Sequence, residues 1–299
     1  MDHLIETKAL NFQYGQQNIL QDISLQVPSN SIYGFLGPNG AGKSTTIKIL
    51  LGLLRIPPEK AFLFGKDIRQ ARIPILSKIG NLIETPSTYG HLSAYDNLKI
   101  LHTLYAGPKS RIGEILEIVG LQHAAQKKVK KFSMGMKQRL GIGMALYHDP
   151  ELLILDEPVN GLDPSGIQEM RQLFFSLQER GKTIFISSHM LSEIEKTCTH
   201  LGIIKVGKLL FQGPIGEIQS STRRSVRLKT DQNKKALQII SSQLQKTGVL
   251  DKEWVSVEVQ NDEDFNHLLQ AIIGSSISIL DMEREAPSLE DLFIDLTKN

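Results

Sequence analysis

Residues 37–45 read GPNGAGKST, and the rest of the chain is best understood outward from them. The stretch satisfies the pattern G-x-x-x-x-G-K-[ST], with Gly37, Gly42, Lys43 and Ser44 in register. Gly37, Gly40 and Gly42 lack a Cβ, so the backbone between them can curl and turn a row of N–H groups toward a polyphosphate. Pro38, Asn39 and Ala41 complete the loop and Thr45 follows it, so all nine residues are candidate nucleotide ligands. Lys43 supplies a point charge for the β- and γ-phosphates, and the Ser44 hydroxyl is a ligand for Mg²⁺. Upstream, the apolar run 31–36 predicts a buried strand; downstream, 43–54 carries apolar residues at helical spacing. Strand, glycine loop and helix start in that order form an anion site. A glycine-rich turn without a ligand would not need this context.

The chain of 299 residues suits one large domain and a smaller one. Its net charge is +2 with 22% charged residues, so no strong field argues for nucleic acid as a partner. A hydrophobic content of 40% indicates ordinary globular structure. The single cysteine, Cys198, cannot close an internal disulfide, which suits a reducing cytoplasm. The first ten residues lack the apolar segment of a signal peptide, and no run approaches the roughly 18–20 apolar residues of a membrane helix. A membrane role is therefore expected only through a partner.

Turn signals separate apolar stretches at 4–10, 19–27 and 31–36, with Tyr14-Gly15 in the first turn. Strands are expected at 61–64, ended by Gly65-Lys66-Asp67, and at 79–83, stopped by Glu84-Thr85-Pro86. From 93 to about 131 the spacing is helical, interrupted at Gly107-Pro108. Residues 127–131 hold four lysines around Val129 and read as a solvated loop, without the interleaved aromatics of a nucleic-acid site. Then come a strand at 152–155, a helix at 165–180 with Pro164 in its first turn, a strand at 183–187, a helix at 190–197 and a hairpin around Gly207. Composition changes at Gly213-Pro214. A linker over 215–224 is expected to lead into a small α/β or ferredoxin-like domain at 225–299. Its strands fall near 226–229, 254–260 and 277–282, and its helices near 235–245, 265–273 and 289–297.

Two further stretches carry chemistry. Leu152-Leu153-Ile154-Leu155 ends in Asp156-Glu157. One carboxylate at such a strand end can hold the Mg²⁺ that bridges the phosphates, and the next can polarise an attacking water. Between this pair and the phosphate loop lies FSMGMKQR, 132–139, where Ser133 and Gly135 precede an apolar helix and offer a hydroxyl and N–H groups to an anion. The loop at Lys43 already serves one nucleotide, so a second anion site makes sense if it closes on a neighbour's.

In this order the motifs resemble the nucleotide-binding subunits of ATP-binding cassette (ABC) transporters, from about residue 4 to 211. The resemblance implies a domain at 1–214 with a RecA-like core, an antiparallel β subdomain and a helical subdomain over about 86–148. It implies that ATP stacks its base on Tyr14, that Ser133 and Gly135 belong to the signature motif, and that Asp156 and Glu157 are the Mg²⁺ ligand and the general base. Asp163, in Asn160-Gly161-Leu162-Asp163, would lie in the loop crossing the dimer interface, and His189 would be the switch histidine at the γ-phosphate. Partners implied are a transmembrane permease and a second ATPase subunit, a second copy of this chain, so that the protein sits peripherally on the inner face of the cell membrane. Soluble cassette ATPases of ribosomes or DNA are rivals, as is an importer subunit. The former usually pair two cassettes or carry a long coiled coil, and this chain has one phosphate loop and no sustained heptads.

Two positions depart from the family pattern. Met134 and Met136 replace two familiar signature residues. Glu84 stands where a glutamine is usual, at a site implied to approach Mg²⁺ and the attacking water. Glu84 with Thr85-Pro86, Tyr89 and Asn97-Leu98 is similar to antimicrobial-peptide immunity transporters of the lantibiotic-immunity and bacitracin-resistance type, which implies export of such a peptide or a similar amphipathic compound. Drift at a tolerant position is the alternative for Glu84.

Overall fold

The computed structural model describes residues 3–83, 86–217, 224–259 and 261–285. Five short strands open the chain: β1 (His3–Thr7), β2 (Leu10–Tyr14), β3 (Gln17–Ile23), β4 (Gln26–Pro28) and β5 (Ile32–Leu36). Then follow α1 (Lys43–Leu50), β6 (Ala61–Leu63), β7 (Lys66–Asp67), α2 (Arg72–Leu76) and β8 (Ile79–Leu82). A helical stretch holds α3 (Ala94–Tyr105), α4 (Ser110–Ile118) and α5 (Met134–Ala145). The first unit closes with β9 (Leu152–Asp156), α6 (Pro164–Glu179), β10 (Thr183–Ser188), α7 (Leu191–Thr197), β11 (His200–Lys205) and β12 (Lys208–Pro214).

All five residues of β5, all five of β9 and all six of β10 are buried. Strands without a polar face must lie between two layers, and these form the centre of a six-stranded sheet in the order β12-β11-β5-β10-β9-β8. Every pairing from β11 to β8 is parallel, and β12 joins antiparallel through a two-residue turn at Val206 and Gly207, both with positive φ. Parallel pairing brings the carboxyl ends of β5, β9 and β10 to one edge, with Leu36, Ser188, Ser187 and Asp156 side by side. The phosphate loop and both carboxylates are thereby drawn together. A second, antiparallel sheet, β4-β1-β6-β7, shares a core with β5 and α1 that includes Ile5, Val27, Leu63, Phe35, Ile47 and Phe185.

The helix boundaries follow local chemistry. Ser93 and Asp96 form a reciprocal capping box at the start of α3, and Ala106 with φ 49° ends it ahead of Gly107-Pro108. Ser133 caps α5, and Asp163 caps α6 with Pro164 in the first turn.

Several expectations are corrected. The stretch 4–10 is two strands, broken where Ala9 takes φ 41°, and 19–27 likewise divides into β3 and β4. Tyr14-Gly15 turns β2 into β3 as expected, but the residues on either side of it, 11–14 and 17–18, are themselves paired strand. The helix after the phosphate loop ends at Leu50 rather than 54, where Gly52 turns left-handed at φ 63°. Lys66–Asp67 is paired strand, because Phe64 and Gly65 both have positive φ and make a two-residue hairpin turn. Residues beyond Ile118 are not helical up to 131; they hold two short 3-10 turns, Gln122–Ala124 and Val129–Lys131.

The chain divides into two units, Met1–Ile215 and Gly216–Asn299. The second runs β13 (Arg224–Thr230), α8 (Asn233–Leu244), β14 (Gly248–Asp251), β15 (Trp254–Val259), α9 (Asp262–Gly274) and β16 (Ile279–Glu285). This βαββαβ order with sheet order β14-β15-β13-β16, antiparallel throughout, is the ferredoxin-like arrangement. Val226, Leu228, Val255 and Val257 on one face pack against Ile240, Leu268 and Ile272 of the helices. β14 had no sequence signal because Val249, Leu250 and Asp251 are exposed. Glu84 and Thr85, positions 218–223 of the expected linker, and the expected helix 289–297 lie outside the described residues.

Candidate active site

The phosphate loop keeps its shape because side chains are excluded from it. A Cβ on Gly37 would stand 2.3 Å from the Ile204 carbonyl oxygen, which belongs to a paired strand and cannot move aside. Gly42, the residue before α1, takes φ 113° and lies against Leu20 of β3. The Leu20 contact fixes the β2–β3 hairpin against the loop, and Tyr14 ends β2 half-exposed, its ring edge-on to Phe12 at 5.0 Å.

Lys43 is buried, and its Nζ lies 2.6 Å from the Gly37 carbonyl oxygen, 3.3 Å from that of Pro38 and 3.4 Å from Glu157 Oε1. The Ser44 hydroxyl donates to Asp156 Oδ2 at 3.0 Å. The other carboxylate oxygen of Asp156 accepts from the Ser187 hydroxyl. That same Oγ accepts from the Glu157 backbone N–H at 3.0 Å. Ser187 thus ties Asp156, the last residue of β9, and Glu157, which follows it, to β10. It was not singled out in the sequence; its only signal is a polar pair, Ser187-Ser188, at the end of an apolar strand just before His189.

Glu157 leaves β9 with φ 49°, in the left-handed region that a glutamate seldom occupies. Such backbone costs on the order of 1–3 kcal/mol and persists where its surroundings hold it. Here the N–H is bonded to both the carbonyl and the hydroxyl of Ser187, and Oε2 lies 2.9 Å from His189 Nδ1. Lys43, Ser44, Asp156, Glu157 and His189 are therefore one connected cluster. Ser133, Gly135 and Asp163 form a second grouping, at the starts of α5 and α6, where Leu162 approaches Gly135. The Asp163 carboxylate accepts from the Gly166 N–H at 2.9 Å and the Ser165 hydroxyl at 3.1 Å, so its first role is to cap α6. Glu84 is outside the described residues.

The donor set at Ser44 and Asp156 fits Mg²⁺. Both are hard oxygen ligands, already adjacent, and this ion commonly takes one or two protein oxygens, with phosphate and water completing its shell.

A phosphate loop on a buried central strand, paired carboxylates at the end of a parallel strand two places away in the same sheet, and a serine-capped helix lying between them in the chain define the ATP-binding subunits of ABC transporters, and the chain belongs to that family. The family model described as "ABC transporter" matches residues 20–160, and one described as "ATP-binding protein DrrA1-3-like, C-terminal domain" matches 213–297. The chain is 43% identical over 307 aligned residues to the bacitracin transport ATP-binding protein BcrA of Bacillus licheniformis, covering 99% of this chain and 98% of that protein. It is 44% identical over 209 residues to the lantibiotic transport ATP-binding protein SrtF of Streptococcus pyogenes, covering 70% and 90%. Among solved structures, cbiO1 of Clostridium perfringens, part of the ABC transporter complex cbiONQ, aligns with a TM-score of 0.68 at 25% identity, covering 82% of this chain and 97% of that one. The protein is thus a nucleotide-binding ATP hydrolase of the ABC transporter class, of the type to which the bacitracin and lantibiotic subunits belong. Among the described residues no helix is long and apolar enough to cross a membrane.

Proposed function

We propose that this chain is the ATPase subunit that drives a separate membrane permease exporting an antimicrobial peptide or similar amphipathic compound, from a position on the inner face of the membrane. The observation that carries the reading is the hydrogen-bonded cluster of Ser44, Asp156, Ser187, Glu157 and His189 beside the phosphate loop. Likeness to the bacitracin transport protein along 99% of the chain supports the cargo class.

ATP is held by the backbone N–H groups of 37–45, with Lys43 on its β/γ-phosphates and Tyr14 against the base. Ser44 and Asp156 would hold Mg²⁺, which when bound would supply positive charge to the phosphates. The Glu157 carboxylate orients the attacking water and takes its proton. His189 steadies that carboxylate through Nδ1 and presents Nε2 to the γ-phosphate. Ser133 and Gly135 of one copy close over the nucleotide of another, head to tail, a two-state closure that ATP favours and hydrolysis releases. The helical stretch 86–148 passes the motion to the permease.

Glu157→Gln tests this directly. The amide keeps the shape and cannot accept the proton, so ATP should bind normally while turnover falls at least about a hundredfold. An ATP-dependent dimer should accumulate on gel filtration. Near-normal turnover would remove Glu157 from the base role.

A further inference from the structure

The lysine run 127–131 takes no part in the cluster above. Between Ile118 and His148 the sequence carries six cations, Lys127, Lys128, Lys130, Lys131, Lys137 and Arg139, and no carboxylate, although the whole chain has a net charge of +2. Arg139 is neutralised by Glu169 at 3.2 Å. The five lysines have no ion-pair partner among the described residues. Four are exposed and Lys137 is half-buried.

These cations do not ride on a loose loop. Val129 is fully buried beneath them. Its N–H donates to the Leu92 carbonyl at 2.9 Å, the Lys130 N–H donates to that of Gly90 at 2.8 Å, and Lys128 forms a β-bridge with Ser93. Lys130 and Lys137 also border one hollow of about 420 Å³, which Met134 and Pro86 line with apolar surface. A backbone pinned at three points projects like charges from one patch, an arrangement that repels itself unless an anion answers it.

We infer that this lysine turn is an electrostatic docking surface that draws one copy of the chain onto the nucleotide-loaded phosphate loop of a second copy. The inference rests on the head-to-tail reading above and adds to it the force that brings the copies together. Lys131 lies two residues before Ser133, so their Cα atoms are within about 8 Å of one another. Lys137 stands one turn into the helix that Ser133 caps. Both are thus within about a Debye length of whatever Ser133 meets. In the second copy that is a triphosphate with Asp156 and Glu157 behind it, a face that stays anionic even when Lys43 and one divalent cation are counted. Complementary charge of this kind accelerates encounter far more than it tightens the closed state. It also makes closure depend on nucleotide, because the phosphates bring most of the negative charge.

The test uses the full chain carrying Glu157→Gln, which holds the dimer, and measures ATP-dependent association by stopped-flow light scattering. Its comparison is the same chain with Lys127, Lys128, Lys130 and Lys131 replaced by Ser, and a third with the same four replaced by Arg. At about 0.1 M salt the Ser variant should associate at least about tenfold more slowly than its parent, and the Arg variant should match the parent. At about 1 M salt, where the screening length shrinks to about 3 Å, the difference should vanish. ATP affinity of the monomers should be the same in all three, which also shows that they are folded. Equal association of Ser variant and parent at low salt overturns the inference. Unchanged association combined with lost binding to phosphatidylglycerol vesicles also overturns it, assigning the patch to the membrane surface instead. If the parent binds ATP but forms no dimer at any salt concentration, the head-to-tail reading itself fails, and this inference with it.

Discussion

Removing one hydroxyl, in Ser187→Ala, should weaken both the fold and the use of Mg²⁺. Ser187 is fully buried, donates to one oxygen of the nearly buried Asp156 carboxylate, and accepts from the Glu157 N–H. A hydrogen bond to a charged group is worth roughly 1.5–3 kcal/mol, and alanine leaves that carboxylate oxygen without its donor. The Glu157 N–H loses less, because the Ser187 carbonyl still accepts it at 3.2 Å. A net loss of about 2 kcal/mol in a unit of this size corresponds to a fall of roughly 4–8 °C in Tm, measurable by calorimetry. Asp156 would then be fixed on one side only, by Ser44, so the Mg²⁺ concentration for half-maximal ATPase activity should rise and turnover should fall. Ser188→Ala is the control: that hydroxyl accepts from the Met190 N–H and touches neither carboxylate, so its Mg²⁺ dependence should stay at the wild-type value. A Ser187→Ala protein that melts within a degree of wild type and has an unchanged Mg²⁺ profile would refute the positioning role.

Tyr33→Phe should stabilise the protein. The Tyr33 hydroxyl is buried without a partner among the described residues, so its removal recovers about 1 kcal/mol of desolvation cost, or roughly 2–4 °C in Tm. Burial also pushes the Tyr33 pKa up, so its contribution to stability is full below the unfolded value near 10 and is lost as pH rises above it. The advantage of Phe should therefore widen by about 1.4 kcal/mol per pH unit above 10, read from urea midpoints, and a destabilised Tyr33→Phe would show that the hydroxyl is satisfied. His148 responds at the other end of the scale. Burial, aided by nearby Arg111 and Lys182 and opposed by the Ile79 carbonyl and Asp149, holds its pKa below the ordinary 6.5. The stability it contributes is present above 6.5 and is lost as pH falls, so wild-type Tm should decline on acidification with a component absent from His148→Phe; parallel curves would deny it.

The sequence by itself determined the chemistry and the order of its parts. The glycine loop, the Asp156-Glu157 pair after four apolar residues, and Ser133 ahead of its helix are local patterns, and each follows from what neighbouring residues can do without help from afar. Helix starts were legible for the same reason, since Ser93, Ser133 and Asp163 cap through bonds reaching only three residues along the chain. Tertiary structure alone decided how those parts meet. Gly37 is required by the carbonyl of Ile204, and Gly42 lies against Leu20, contacts between strands far apart in the chain. Ser187 reaches Asp156 only because β10 pairs with β9 in parallel, in register. The strained backbone of Glu157 is likewise held from β10, not by its own neighbours. Strand β14 went unread because an exposed edge carries no apolar period, and only pairing defines it. Capping and periodicity are short-range consequences of backbone geometry, whereas a site assembled from several strands exists only once the sheet that aligns them has formed.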